Sequence, residues 1–139
     1  MAVSYHTEDC TFRFGNRRTV NRWIADAIAT EGRKRGNITI IFCSDDYLLE
    51  INRRHLDHDY YTDIITFDYS EEDWVSGDLF ISLDTVRTNA EEYRVSFGQE
   101  LHRVIIHGVL HLCGYGDKSP AEAATMRSKE DFYLNLLST

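Results

Sequence analysis

Proline is nearly missing from this chain, with only Pro120 in 139 residues, and there are just eight glycines. So few chain breakers leave no room for a linker, and one domain spanning residues 1–139 is expected. Three cysteines, Cys10, Cys43 and Cys113, are an odd number without framework spacing. That excludes a disulfide scaffold and fits reduced thiols in a cytoplasmic protein. No apolar run approaches the ~20 residues of a membrane span. The first ten residues lack the basic start and apolar stretch of a secretory signal, so no membrane association is expected. Lysine is scarce too: three against twelve arginines, with a net charge of −8. Nucleic-acid binding normally rests on Lys and Arg meeting phosphates, so charge alone gives it no support and DNA is not an expected partner. The arginine clusters (Arg13, Arg17, Arg18 and Arg22; Arg33 and Arg35; Arg53 and Arg54) read as solvated helix faces.

What is present is a folding composition, 42% hydrophobic and 12% aromatic. Alternation predicts a first strand over 3–12. Val20, Trp23, Ile24, Ala27 and Ile28 recur at helical spacing and predict a helix over 17–30, ended by Gly32. The β-branched run 38–43 reads as a strand buried on both faces. Ser44 then caps a short helix reaching 54, with Asp45 and Asp46 at its positive end. Strands are expected at 64–69 and 78–83, joined too tightly for a parallel crossover and therefore antiparallel if they pair. Helices follow over 84–97 and 99–113, broken at Gly98. A last helix opens on Ser119-Pro120-Ala121-Glu122, a capping box with proline at the first helical position. The expected fold is α+β, a four-stranded mixed sheet packed with about five helices.

The chemistry concentrates in residues 107–117. His107 and His111 are one helical turn apart on one face. The helix carrying them holds Val104, Ile105, Ile106, Val109, Leu110 and Leu112 around nearly its whole circumference, so it is central and buried. Two imidazoles without partners there would cost desolvation, which a metal removes. Gly114 and Gly116 then let the helix stop and the chain fold back, bringing Asp117 under the histidines. Three ligands at the C-terminal end of a buried helix, with a fourth position open, is the pattern of a catalytic zinc. Such an ion lowers the pKa of a bound water to about 7 and polarises a carbonyl or phosphoryl oxygen, so hydrolysis is the default chemistry. The spacing is similar to that of H-E-x-x-H metalloproteases, but Gly108 stands where their general base would be, which counts against a protease. Cys113 and His102 point off the ligand face and are read as packing residues.

These residues also carry a resemblance. His107-Gly-Val-Leu-His111-Leu-Cys-Gly-Tyr-Gly-Asp117 resembles the H-G-x-L-H-L-x-G-Y-D-H signature of the YbeY family. Residues 62–67, TDIITF, resemble its P-T-D-V-L-S-F segment, and residues 77–81, GDLFI, its G-D-I-x-I strand. The segments occur in family order and the likeness covers essentially the whole chain. It implies a zinc-dependent endoribonuclease specific for single-stranded RNA. It further implies a role in ribosomal RNA maturation at the small-subunit 3′ end, and in ribosome quality control, with rRNA and the small subunit as partners. The family's metal ligands map onto His107, His111 and Asp117. No catalytic group is assigned beyond the metal-bound water. An arginine usual in the family falls at Leu56 here, with Arg53 and Arg54 on the preceding turn. A non-enzymatic alternative keeps the metal as a structural staple in a ribosome-assembly factor. A third, an iron oxygenase built on two histidines and a carboxylate, has no co-substrate site to support it.

Where the family pattern has a third histidine, this chain has Asp117. The carboxylate lowers the charge of a zinc site from +2 to +1 and should acidify bound water less, since charge on the metal drives that shift. Asp117→His is therefore expected to move the rise of the pH–rate profile for RNA cleavage to lower pH; an unmoved or later rise would refute this.

Overall fold

The structure, a computed structural model, describes residues 2–58 and 60–137. Nine elements follow one another: β1 (Val3–Glu8), α1 (Arg17–Thr30), β2 (Lys34–Cys43), α2 (Asp45–Leu56), β3 (Ile64–Asp68), β4 (Trp74–Ser82), α3 (Leu83–Tyr93), α4 (Phe97–Leu112) and α5 (Pro120–Leu137). The sheet order is β1-β2-β4-β3. β2 pairs in parallel with β1 and with β4, and β3 closes the far edge antiparallel to β4. The expected mixed, four-stranded α+β fold with five helices is thus the observed one.

Side-chain alternation along β2 sorts the core. Ile38, Ile40 and Phe42 turn to the larger cluster, which gathers Val20, Ile24 and Ile28 of α1, the apolar shell of α4, and Met126 and Tyr133 of α5. Cys43 turns the other way, onto Leu48 of α2 and Ile65 of β3. Helix α4 has Leu101, Val104, Ile105, Ile106, Val109, Leu110 and Leu112 all buried, which makes it the central helix. Burial pushes the Cys43 thiol up to about 12 and the Cys113 thiol to about 11. All three cysteines are unpaired.

Several boundaries differ from expectation, each for a local reason. β1 stops at Glu8 rather than 12, because Asp9 adopts a left-handed backbone (φ 55°). β2 and β4 begin earlier than their apolar runs, at Lys34 and Trp74, which pair with each other. The apolar run marks only the part of a strand covered on both faces. The break between α3 and α4 is not at Gly98. Arg94 (φ 58°) ends α3, and the Ser96 hydroxyl starts α4 by accepting from the Gln99 N–H at 3.1 Å. Gly98 lies inside the first turn. The capping box at Ser119 forms as expected, with its hydroxyl accepting from the Glu122 N–H and the Glu122 carboxylate accepting from the Ser119 N–H, both at 3.1 Å. Among the described residues no helix is long and apolar enough to cross a membrane.

The ligand helix approaches the sheet at Gly77 of β4. A Cβ there would lie 2.5 Å from the Phe67 carbonyl oxygen and 2.7 Å from Leu112 Cδ2. Because the first of these is backbone in the neighbouring strand, it cannot yield by rotating a side chain. Gly77→Ala is expected to cost about 2 kcal/mol by overpacking, seen as a lower urea midpoint at unchanged m-value; an unshifted midpoint would show that β3 and α4 can both draw back from Gly77 without loss.

Candidate metal centre

The site begins with how α4 ends. Gly114 takes a positive φ (107°) and its N–H donates to the His111 carbonyl, while the Tyr115 N–H donates to the Leu110 carbonyl. This is a Schellman closure, whose first residue past the cap favours glycine. It turns the chain back so that Asp117 reaches the last two turns of the helix. There His107 and His111 are only partly covered, with 24% and 27% of their side chains exposed. Between them Gly108 has no side chain to separate α4 from Ile64 and Leu79, whose methyl groups would lie 2.8–3.1 Å from an added Cβ.

His107 Nε2 and His111 Nε2 are 3.0 Å apart, and an Asp117 carboxylate oxygen (Oδ2) lies 3.2 and 3.3 Å from them. One donor atom from each of the three residues falls within a single cluster of this kind. Zinc–nitrogen and zinc–oxygen bonds of about 2.0–2.1 Å imply tetrahedral edges of about 3.3 Å. The three separations therefore fit one face of a tetrahedron around a zinc-sized ion, with the fourth corner open.

The remaining nitrogens of the two rings are engaged from different elements. His107 Nδ1 donates to Glu130 Oε2 at 2.6 Å, and His111 Nδ1 donates to the Tyr115 carbonyl at 2.8 Å. Acceptors at both Nδ1 atoms place hydrogen there and turn both Nε2 lone pairs toward Asp117, as metal-ligating histidines require. Glu130, 4% exposed, is itself held by Arg103, which donates to Glu130 Oε1 at 3.0 Å and to Asp131 at 2.8 Å. Burial lowers the His107 pKa, but the Glu130 hydrogen bond and the charges of Glu130, Asp63 and Asp117 outweigh it and leave the pKa raised. On the other side, Tyr115 is anchored through its hydroxyl, which donates to Glu31 at 2.6 Å. Lys129 and the Tyr133 hydroxyl donate to the same carboxylate. Burial pushes Glu31 up, yet these donors hold it below the ordinary carboxylate range.

Open space lies on both sides of the ligands. One groove of about 550 Å³ runs along edge strand β3, lined by Leu56, His58, Tyr60, Thr66 and Lys118 as well as the three ligands. A second cavity, of about 380 Å³, lies between α3, α4 and α5. Asp63 lines both, with its carboxyl raised by burial despite the opposing effects of His107 and two backbone N–H groups.

The sequence-derived residues divide accordingly. His107, His111 and Asp117 meet at one point. Leu56 lines the groove, 41% exposed. Arg53 and Arg54 pair with Glu50 on the outer face of α2, at 4.0 and 2.7 Å. His102 packs edge-on against Phe14 and Trp23, away from the site. His58 and Asp59 precede the Thr62–Asp63 turn, where the sequence allows an approach to the metal but ordinary polar loop residues are commoner; His58 reaches the groove and contacts the Tyr60 hydroxyl at 3.0 Å, while Asp59 lies outside the described residues. Glu130, Arg103 and Asp63 are supporting groups that sequence reasoning missed. Glu130 had a signal: it falls between Met126 and Tyr133 at helical spacing, a carboxylate inside an apolar stripe.

The protein is thus an α+β domain in which two imidazoles of a buried central helix and the Asp117 carboxylate of the loop that follows it converge on one point. The sequence matches the family described as Endoribonuclease YbeY over residues 3–138, and the chain belongs to that family. An Endoribonuclease YbeY of Parabacteroides distasonis is 53% identical over 137 residues, covering 99% of this chain and 96% of the relative. One from Bacteroides thetaiotaomicron is 54% identical over 131 residues, covering 94% and 96%. A solution structure of a Thermotoga maritima protein superposes with a TM-score of 0.69 at 26% identity, covering 97% of this chain and 88% of that one.

If Glu130 orients His107 for a metal, Glu130→Gln keeps the shape of the contact but loses its charge. It is expected to weaken zinc binding about 10- to 100-fold, measured by competition with a chromophoric chelator. Unchanged affinity would leave Glu130 only a packing role.

Proposed function

We propose that this chain is a zinc-dependent endoribonuclease of single-stranded RNA that acts in ribosomal RNA processing, at the 3′ end of small-subunit rRNA, and in ribosome quality control. The reading rests on one observation: three donor atoms form one face of a zinc-sized tetrahedron and leave the opposite side open to a groove. Structural zincs are normally closed by four protein ligands. The family name borne by the relatives supplies the substrate class.

When bound, the ion would polarise a phosphoryl oxygen and lower the pKa of a water. The chain's own groups do the rest. Glu130 and the Tyr115 carbonyl hold hydrogen at the two Nδ1 atoms, so both Nε2 atoms remain ligands. Asp63, raised by burial and facing both halves of the open space, is the carboxyl placed to carry a proton. With Leu56 at the usual arginine position, phosphate contact falls to Lys118 in the groove beside β3 and to Arg127 in the cavity across the ligands. Arg53 and Arg54, turned to Glu50, are solvated.

The alternative is an assembly factor with a structural metal, which the net charge of −8 favours. Cleavage of single-stranded RNA by the purified protein as isolated, after chelation and after zinc is restored decides between them, with His111→Ala alongside. Cutting that follows the metal and drops at least a hundredfold in His111→Ala is expected. Stoichiometric zinc with no cutting above the variant would transfer the site to the assembly role.

A further inference from the structure

The cavity between α3, α4 and α5 contains a group that the metal chemistry does not use. Glu100, in the first turn of α4, is 5% exposed, and among the described residues its carboxylate accepts no hydrogen bond and joins no ion pair. It opens onto the 380 Å³ cavity that His107 and Asp117 also line. Seven residues separate Glu100 from His107, almost two helical turns, so both lie on one stripe of α4, roughly 10 Å apart. Tyr93, at the end of α3, is 56% exposed in the same wall. With no hydrogen bond from the protein, this carboxylate is an acceptor left free for whatever enters the cavity.

What fills it can be argued from charge and shape. Arg103 and Arg127 both act on the Glu100 charge and line the cavity with it, together with Asp63, Asp117 and Glu130; the two guanidiniums suit a ligand that brings a phosphate, which a bare divalent cation does not. An exposed aromatic ring in one cavity with an acceptor-only group suits an unstacked nucleobase, held by its face and read along its Watson–Crick edge. The edge decides which base. A carboxylate has two acceptor oxygens and no donor. Guanine presents two adjacent donors, the ring N1–H and the exocyclic N2–H, and can satisfy both oxygens. Adenine and cytosine pair one amino group with a ring nitrogen acceptor, which would face the second oxygen. Uracil flanks its single N–H with carbonyls.

We propose that this cavity is a guanine subsite, with Tyr93 stacking on the base, Glu100 accepting from its N1–H and N2–H, and Arg127 meeting a phosphate. It would seat a nucleotide next to the one cut at the metal. The proposal rests on the ribonuclease reading for why a nucleotide enters, but its test does not depend on cleavage.

Binding of GMP, AMP, CMP and UMP to the zinc-loaded protein is measured by isothermal titration calorimetry. The phosphate is common to all four nucleotides, whether it meets Arg127 or the metal, so differences among them report the base. GMP should bind at least tenfold more tightly than the other three, as expected for one bidentate pair. Glu100→Gln should remove that preference while changing AMP, CMP and UMP less than twofold. Tyr93→Ala should weaken GMP about tenfold, and Tyr93→Phe should restore it, since stacking uses the ring face. Trp74→Ala, at the opposite end of β4 from the site, should change nothing. Equal binding of all four nucleotides, or a GMP preference that survives Glu100→Gln, overturns the subsite. So does divalent-ion binding to the zinc-loaded protein that is lost in Glu100→Gln. A guanine preference in a protein that cuts no RNA would count against the nuclease reading and leave the subsite standing.

Discussion

Everything at this site depends on a constraint about hydrogen placement. A neutral imidazole offers a lone pair from Nε2 when Nδ1 carries the hydrogen, and an acceptor held at Nδ1 favours that tautomer and fixes the ring. Here the two acceptors come from opposite sides of α4: the Glu130 carboxylate of α5 for His107, and the Tyr115 carbonyl of the return loop for His111. Each is secured in turn, Glu130 by Arg103 and Tyr115 through Glu31. Adjacent residues of α5 therefore serve both flanks, since Lys129 reaches Glu31 while Glu130 reaches His107. Docking of α5 onto the core orients the ligands as well as covering apolar surface.

That arrangement explains how a buried helix can hold polar chemistry without losing its place in the core. The apolar residues of α4 face the sheet, α1 and α3, and its one polar stripe carries Glu100, Arg103, His107 and His111 along the remaining side. Of these, Arg103, His107 and His111 find partners within the protein, and Glu100 faces an open cavity. The glycines work in the same sense. Gly77 and Gly108 allow sheet and helix to meet closely, and Gly114 permits the reversal that returns Asp117. Close approach places the ligand face against edge strand β3, where a groove remains open.

Charge also finds an account in the structure. An acidic chain is a poor long-range attractor of RNA, and two of its arginines, at 53 and 54, are turned to Glu50. The cations left near the ligands, Lys118 and Arg127, stand on opposite sides of them. Exposed rings at Tyr60 and Tyr93 lie along the same open space. Affinity built on a few phosphate contacts and on base stacking would be less sensitive to salt than affinity built on a basic surface.

Much of this was legible in the sequence because it is local. Helical periodicity marked α1 and α4, a β-branched run marked the buried half of β2, and the capping box marked the start of α5. The i, i+4 histidines followed by glycine and Asp117 needed only helix geometry to be brought together. Local signals failed where pairing or capping overrode them. The polar start of β2 became strand by pairing with Trp74, and Ser96 rather than Gly98 divided α3 from α4. Packing alone settles which distant groups come to the polar stripe of α4: Glu130 from 23 residues away, Asp63 from just before edge strand β3 and Tyr93 from the end of α3. No period in the sequence encodes those meetings, because they arise from the packing of α3, α5 and β3 around α4 in three dimensions. The order of residues is enough to give a helix with two histidines one turn apart and a carboxylate folded back behind them; the packing around that helix sets which way its histidines face and what can reach them.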